Sequence, residues 1–210
     1  MPRTPGARIG KVTKVENAHH GWKAKVEIRA RVLAAVGPAR AQVFDAFAGP
    51  GLMHREVWSQ AAGYVGCDTR WYRDGRRCYV ADNLRVLRAV DLAPFTVFDL
   101  DAYGSPWAQA LIIAARRALA PGERIGLVLT EGTALKTRFS QLPFAMREAA
   151  DLTRAADRGA GHLHDAVIAR GLQGIVRRMR GRIVRQWQAV GTSGAQMRYI
   201  GLVVEGVLRG

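Results

Sequence analysis

The chain has only two cysteines among its 210 residues, Cys67 and Cys78. They form no paired spacing, which excludes a zinc framework and a disulfide scaffold, so no metal site is expected. Each reads as a buried reduced thiol, and the setting as cytoplasmic. Long apolar runs are also missing. The run Ala110-Leu111-Ile112-Ile113-Ala114-Ala115 stops at Arg116-Arg117, well short of the roughly 18 residues a membrane span needs. The basic, Pro/Gly-rich start has no apolar stretch behind it, so residues 1–14 read as a flexible basic tail and not as a signal peptide. Internal repeats and low-complexity segments are absent too. Acid is scarce: 17 Asp and Glu stand against 32 Lys and Arg, for a net charge of +15.

The excess of base is clustered. Residues 3–31 carry eight cations, Lys25 and Arg29 among them, against Glu16 and Glu27. Residues 166–204 contain no acid but include Arg170, Arg177, Arg178, Arg180, Arg182, Arg185 and Arg198. Such clusters suit a polyanion, so nucleic acid is the expected partner, with phosphates contacted by the N-terminal segment and an Arg-rich helix near 170–185. The alternative is a general compositional preference for arginine.

Hydrophobic residues make up 49% of the chain, enough for a packed core. A single domain over residues 15–210 is expected. Residues 15–36 read as an amphipathic helix ended by Gly37-Pro38, so the N-terminal helical segment spans 15–37. Strands are expected at Gln42 to Ala48, Tyr64 to Asp68, Arg77 to Ala81, Phe95 to Leu100 and Ile125 to Thr130. Helices are expected at Leu52 to Ala62, Asn83 to Val90 and Trp107 to Leu119. This alternation predicts an α/β fold: a parallel sheet with helices on both faces. Residues 135–182 read as a polar helical insertion with a break near 158–161. Ile183 to Val190 and Met197 to Val207, joined by Gly191-Thr192-Ser193-Gly194, predict an antiparallel hairpin. Five parallel strands plus such a hairpin is the inventory of a Rossmann-like methyltransferase sheet.

Ligands of open parallel sheets bind at the carboxyl ends of the strands. Strand one ends in Asp45-Ala46-Phe47-Ala48-Gly49-Pro50-Gly51, where glycines let a ligand approach the backbone. A dinucleotide fingerprint would need a third glycine where His54 stands. An acid inside the strand end suits instead a ligand carrying ammonium and sulfonium groups. Asp68 ends strand two, placed for ribose hydroxyls. Asp82-Asn83 follow strand three, placed for an adenine amino group, and Asp99 lies in strand four. Asp45, Phe47, Gly49, Gly51, Asp68, Asp82, Asn83 and Asp99 are thus the expected cofactor-binding residues, with S-adenosylmethionine as the cofactor.

The segment Asp45 to Gly51 resembles the first motif of class I methyltransferases that act on nucleic acids. Phe98-Asp99-Leu100-Asp101-Ala102-Tyr103-Gly104-Ser105-Pro106 is similar to the Asp-Leu-Asp-Pro-Phe/Tyr-Gly-Ser-Pro motif of the tRNA guanine N2-dimethyltransferases. That motif is itself related to the Asp/Asn-Pro-Pro-Tyr/Phe motif of amino-methyltransferases. Thr130-Glu131-Gly132-Thr133-Ala134 is similar to the Thr-rich segment those enzymes carry after strand five. The resemblance covers residues 42–135. It departs at Ala102, where the motif has proline, and 210 residues leave little length for the extra C-terminal domain of the tRNA enzymes.

The resemblance implies methyl transfer to an exocyclic base nitrogen, in RNA before DNA. Such an amine is a weak nucleophile because its lone pair is delocalised into the ring. A carboxylate such as Asp101 can accept its hydrogen bond and its proton. The next backbone carbonyl is a second acceptor, and Tyr103 can stack on an unpaired base. Asp101 and Tyr103 are the expected catalytic residues. Ser105, Pro106, Trp107, Thr130 and Glu131 are the expected substrate-binding residues, with Trp107 a pocket wall. Asp99 and Asp101 could instead cap the following helix. Two other classes stay open: a methyltransferase of protein or small molecules, and an inactive nucleic-acid-binding protein of the same fold. His162-Leu163-His164 reads as a solvated loop. Trp71-Tyr72-Arg73, with Arg70, Arg76 and Arg77, suits either single-stranded nucleic acid or an adenine-binding wall.

Overall fold

The computed structural model describes residues 19–134, 142–153, 163–191 and 197–208. The expected tail at 1–14, the break near 158–161 and residues 192–194 of the expected turn lie outside them. Seven strands form one sheet: β1 (Gln42–Asp45), β2 (Gly63–Asp68), β3 (Cys78–Val80), β4 (Val97–Leu100), β5 (Arg124–Glu131), β6 (Gly181–Val190) and β7 (Arg198–Gly206). Their order is β3-β2-β1-β4-β5-β7-β6. The first five run parallel, while β7 is antiparallel to β5 and to β6. The chain winds outward from β1 to β3, then crosses to β4 and winds the other way. Its switch point therefore lies between β1 and β4, where loops diverge and leave room for a ligand.

Helices cover both faces. On one lies α1 (His19–Val36), whose Ile28, Val32 and Val36 pack with Val43, Val97 and Val128. Gly126 of β5 and Gly201 of β7 admit it: a Cβ at Gly126 would run into Val32, and one at Gly201 would lie 2.9 Å from Ile28. On the other face lie α3 (Asn83–Ala89), α4 (Trp107–Arg116), α5 (Phe144–Ala149) and α6 (His164–Arg178), over Phe44, Phe98, Leu100, Leu127 and Leu129. The short α2 (Leu52–Glu56) follows the turn after β1.

The expected strands are all found, with shifted ends, while residues 15–18 of the expected N-terminal helix and 135–141 and 154–162 of the expected insertion lie outside the described residues. Leu52 to Ala62 is not one helix. The chain turns at Val57 into a 3-10 turn, Trp58–Gln60, because Trp58 is drawn fully into the core. The insertion's helix stops at Arg178, not 182, and the pairing of Gly181 with Gly206 already belongs to the hairpin. Cys67 is buried as expected, but Cys78 is only partly so, and neither is bonded to the other. Among the described residues no helix is long and apolar enough to cross a membrane.

One polar contact fastens α1 to the sheet. Arg29 and Asp99 are both fully enclosed, and the guanidinium meets the carboxylate with two bonds, Nε to Oδ2 at 2.7 Å and Nη2 to Oδ1 at 2.8 Å. Trp58 Nε1 donates to Oδ2 at 2.7 Å. Such a pair contributes little over an apolar substitute, yet removing one partner strands a buried charge. Arg29→Met should therefore cost about 3–5 kcal/mol in urea unfolding. Arg29→Met with Asp99→Asn should recover at least half of that, since the amide still accepts from Trp58. A single variant as stable as the parent would show that the pair does not hold α1.

Candidate active site

The carboxyl ends of β1, β2, β4 and β5 meet at one edge of the sheet, bound loop to loop. Ala46 N donates to Asp99 O, Ala48 N to Cys67 O, and Gly132 N to Gly104 O at 2.6 Å. The turn after β1 needs its glycines. Gly49 and Gly51 have φ of 46° and 79°, a left-handed backbone that side chains disfavour. Asp68 holds the turn from β2, accepting from Gly49 N at 3.0 Å and from Arg70 N at 2.8 Å. Arg76 holds it from behind, donating to Ala48 O at 3.0 Å and Gly49 O at 2.7 Å while pairing with Asp74. A Cβ at Gly51 would lie 2.8 Å from that guanidinium. Arg76 is thus a brace of the glycine turn and takes no part in the aromatic surface expected around Trp71.

Asp45 is buried at the end of β1 and accepts from Phe47 N and from the Tyr64 hydroxyl, both at 3.0 Å. Burial, followed by the nearby Asp99 carboxylate, pushes its carboxyl up to about 8. Phe47 is partly buried against the core. Asp82 caps α3 through Arg85 N at 3.0 Å and is exposed. Asn83 is committed to the protein: its amide donates to Ala46 O at 2.8 Å, and its oxygen accepts from Gln109 at 2.9 Å. It braces the end of β1, with one N–H and one lone pair left over. Asp99 is likewise removed from any ligand, because its oxygens face Arg29 and Trp58 with no exposure. The expectation that it binds the cofactor is corrected on that ground.

Asp101 lies one step beyond β4, with its side chain 17% exposed. Lys25 Nζ stands 2.9 Å from the carboxylate and Arg29 Nη2 stands 3.4 Å from it. Burial alone would raise this carboxyl, but Arg29, Lys25 and the Thr130 hydroxyl outweigh it and hold it below the usual range. Asp101 therefore caps no helix; it is an ionised carboxylate between two cations. Lys25 and Arg29 had been expected on phosphates. Their spacing of four residues, on the stripe that includes Ile28 and Val32, was the signal that they face inward.

Ala102, the departure from the proline motif, donates its N–H to Leu100 O at 2.8 Å. Its carbonyl, expected as the amine's second acceptor, already accepts from Gly104 N at 3.1 Å. Tyr103 is 84% exposed at the tip of this loop. Ser105 is partly exposed, while Pro106 is buried at the start of α4. Trp107 is not a pocket wall. It is fully enclosed against α6, where a Cβ at Gly171 would come within 2.7 Å of its ring.

Thr130 is buried on the α1 face. Glu131, one residue on, points to the other face with no exposure. It accepts from Thr133 N at 3.0 Å and from the Thr133 hydroxyl, and lies 3.0 Å from His164 Nε2. Its place in substrate binding is corrected to that of a buried anchor for α6. His164 is correspondingly buried and is no solvated loop residue. That pairing spans two distant segments and left no local signal.

No family model matches the chain, and no curated protein does. Solved structures do. Trm1 from Pyrococcus horikoshii, in complex with S-adenosyl-L-methionine, aligns at a TM-score of 0.58 and 13% identity, over 91% of this chain and 56% of that one. The N-methyltransferase NodS from Bradyrhizobium japonicum, in complex with S-adenosyl-L-homocysteine, aligns at 0.53 and 10% identity, over 91% and 89%. Strand order, terminal hairpin and these alignments agree, and the chain has the fold of the class I, Rossmann-like S-adenosylmethionine-dependent methyltransferases.

Proposed function

We propose that this chain is an enzyme that transfers a methyl group from S-adenosylmethionine to an exocyclic base nitrogen of a nucleic acid, RNA before DNA. The observation that carries the reading is Asp101: an ionised carboxylate with slight exposure, at the ligand edge of a methyltransferase sheet, two residues from an exposed tyrosine.

The residues fit the cofactor. Asp45 is a buried acid at the switch point, suited to an ammonium group, and the turn that follows it is built on Gly49 and Gly51. Asp68 is partly exposed, and its two oxygens retain acceptor capacity beyond the two backbone N–H groups they hold. Asp82 stands exposed beside it. Bound there, S-adenosylmethionine supplies an already activated methyl group. The protein must then orient the acceptor and take one proton. Asp101 has about four acceptor sites on two oxygens, so Lys25 and Arg29 leave room for an incoming N–H. Their charges also keep the carboxylate ionised at neutral pH, ready to accept. Tyr103 offers its exposed ring as a stacking face for the base. Ser105, partly exposed in the same loop, is the expected polar contact to the acceptor.

Labelled-methyl transfer into total RNA and DNA, followed by nucleoside mass spectrometry, tests the reading. Label is expected on an amino group of an RNA base. Label in protein or a small molecule alone would replace the acceptor class. No S-adenosylmethionine binding at millimolar concentration in calorimetry would sink the enzyme reading. Asp101→Ala should lower kcat by about 10²- to 10⁴-fold with cofactor affinity retained.

Lys25→Met removes one of the two cations that hold Asp101 low, so the acid limb of the kcat profile should move to higher pH. Lys25→Arg should move it back. An unchanged limb would show that Asp101 is not the titrating base.

Asp45 predicts a second pH effect. Its carboxyl is protonated below about 8, so capture of a cation there releases a proton. Cofactor affinity should then rise with pH up to about 8, by at most about tenfold per unit. Calorimetry in buffers of different ionisation enthalpy reads the proton directly. The same burial means the folded state resists ionisation of Asp45, which costs stability increasingly from the ordinary carboxyl range up to about 8. Asp45→Asn should therefore unfold at higher urea than the parent at pH 8 while binding cofactor more weakly.

A further inference from the structure

We propose that the loop between β2 and β3, together with the exposed edge of β3, is a stacking surface for an unpaired polynucleotide strand. This deepens the nucleic-acid part of the reading above and does not depend on methyl transfer. Trp71 is 64% exposed, Tyr79 44% and Val80 52%, on one short stretch of chain. The Arg73 guanidinium lies over the Trp71 ring at 5.4 Å and Arg70 lies over Tyr72 at 5.2 Å. The loop follows Asp68, so it borders the ligand edge that also carries Asp101.

Much of the positive charge elsewhere is neutralised, though Arg85, Arg88, Arg180 and Arg185 also lack a carboxylate partner among the described residues; what sets this loop apart is that two of its unpaired cations lie over aromatic rings. Arg29, Arg31, Arg117, Arg124, Arg177, Arg178, Arg182 and Arg198 each pair with a carboxylate. In the loop, Asp74 is taken by Arg76 and Asp68 by the glycine turn. Arg70, Arg73 and Arg77 have no carboxylate partner among the described residues. Three unneutralised cations interleaved with exposed rings match the two demands of single strands: phosphate neutralisation and a face for each base. A duplex hides its base faces and would use only the charge. A second copy of the chain would bring the same three cations against themselves.

The full chain can be titrated with oligouridylate and with oligodeoxythymidylate of about twenty nucleotides, at low and near-physiological salt. Trp58 and Trp107 are fully buried but Trp22 and Trp187 only partly so, so the quenching that disappears in Trp71→Ala is the share of Trp71, and anisotropy of a dye-labelled oligomer reads affinity in every variant. Binding is expected with quenching, weakened about tenfold in Trp71→Ala. A triple variant, Arg70→Ala with Arg73→Ala and Arg77→Ala, should lower the salt slope by about 2–3. Arg182→Ala, whose partner is Glu205, should leave the slope near the parent's. Circular dichroism and thermal melting confirm that the variants fold. The proposal is overturned if the parent binds neither oligomer, or if Trp71→Ala binds as tightly as the parent. Equal quenching by S-adenosylmethionine alone, with no effect of oligomer, would also overturn it and give the ring to the cofactor. Strand binding with no methyl transfer would keep this surface and defeat the enzymatic reading. Methyl transfer with an unchanged KM for the polymer in Trp71→Ala would do the reverse. Preference between the two oligomers points to the polymer.

Discussion

The Arg29 guanidinium lies fully enclosed between α1 and the sheet, and three carboxylates answer to it. Asp99 takes it with two hydrogen bonds, and Asp101 lies 3.4 Å from it. Asp45 feels the Asp99 charge more strongly than the cation, and burial leaves it protonated to about 8. One buried cation cannot hold three buried anions ionised, since each unpaired charge in a low-dielectric core costs several kcal/mol. Lys25 supplies the second cation where the surface opens, at Asp101. The electrostatics of the ligand edge thus form one system: an ionised pair sealed below, an ionised carboxylate at the rim, and a neutral acid at the switch point. Helix α1, besides covering the sheet, is what assigns those states.

The same accounting changes the meaning of the net charge. Taken as a sum, +15 speaks for a polyanion. Taken residue by residue, much of the arginine is structural. Arg76 holds the glycine turn, Arg116 ties α4 to the carbonyls of Leu87 and Val90, and Arg177 and Arg178 bind Asp151. The Arg-rich segment near 170–185, which composition alone offers for phosphates, mostly binds its own neighbours. Arg170 donates to Ala150 O and Arg182 pairs with Glu205. Of the arginines left without a carboxylate among the described residues, Arg70 and Arg73 of the loop after β2 are the ones that lie over aromatic rings.

Periodicity and strand-end chemistry were local enough to read from sequence. Alternating strands and helices, the Gly37-Pro38 stop, the glycine turn and the acids after β1 to β4 are each written within a few residues, so the sheet, and the edge at which those acids gather, were legible. The roles of individual acids were not, because they depend on partners far along the chain. Asp99 meets Arg29 across 70 positions and Glu131 meets His164 from α6. Nothing beside Asp99 in sequence distinguishes it from Asp101, which lies at the same edge two residues later. The difference is that the sheet ends between them. Asp99 is still inside β4, under α1, whereas Asp101 has passed the last paired residue, Leu100. Trp107 was misplaced for a related reason. It follows the motif in sequence, but as the first residue of α4 it turns toward α6 and away from the edge.

That boundary also bears on Ala102. A proline there would have no N–H to donate and a fixed φ. Ala102 instead donates to Leu100 O, and Gly104 donates to Ala102 O in turn, so two tight turns follow each other directly. Gly104, at a φ of 115°, then accepts from Gly132 N and fastens the loop to the end of β5. The alanine thus holds by a hydrogen bond a bend that proline would favour by its ring. What the exchange alters is the carbonyl beside Asp101, which now serves Gly104 with one of its two lone pairs. On the proposed function, an amine held at this edge would lean on the carboxylate more than on the backbone, and the charge state of Asp101, set by Arg29 and Lys25, would govern its reactivity.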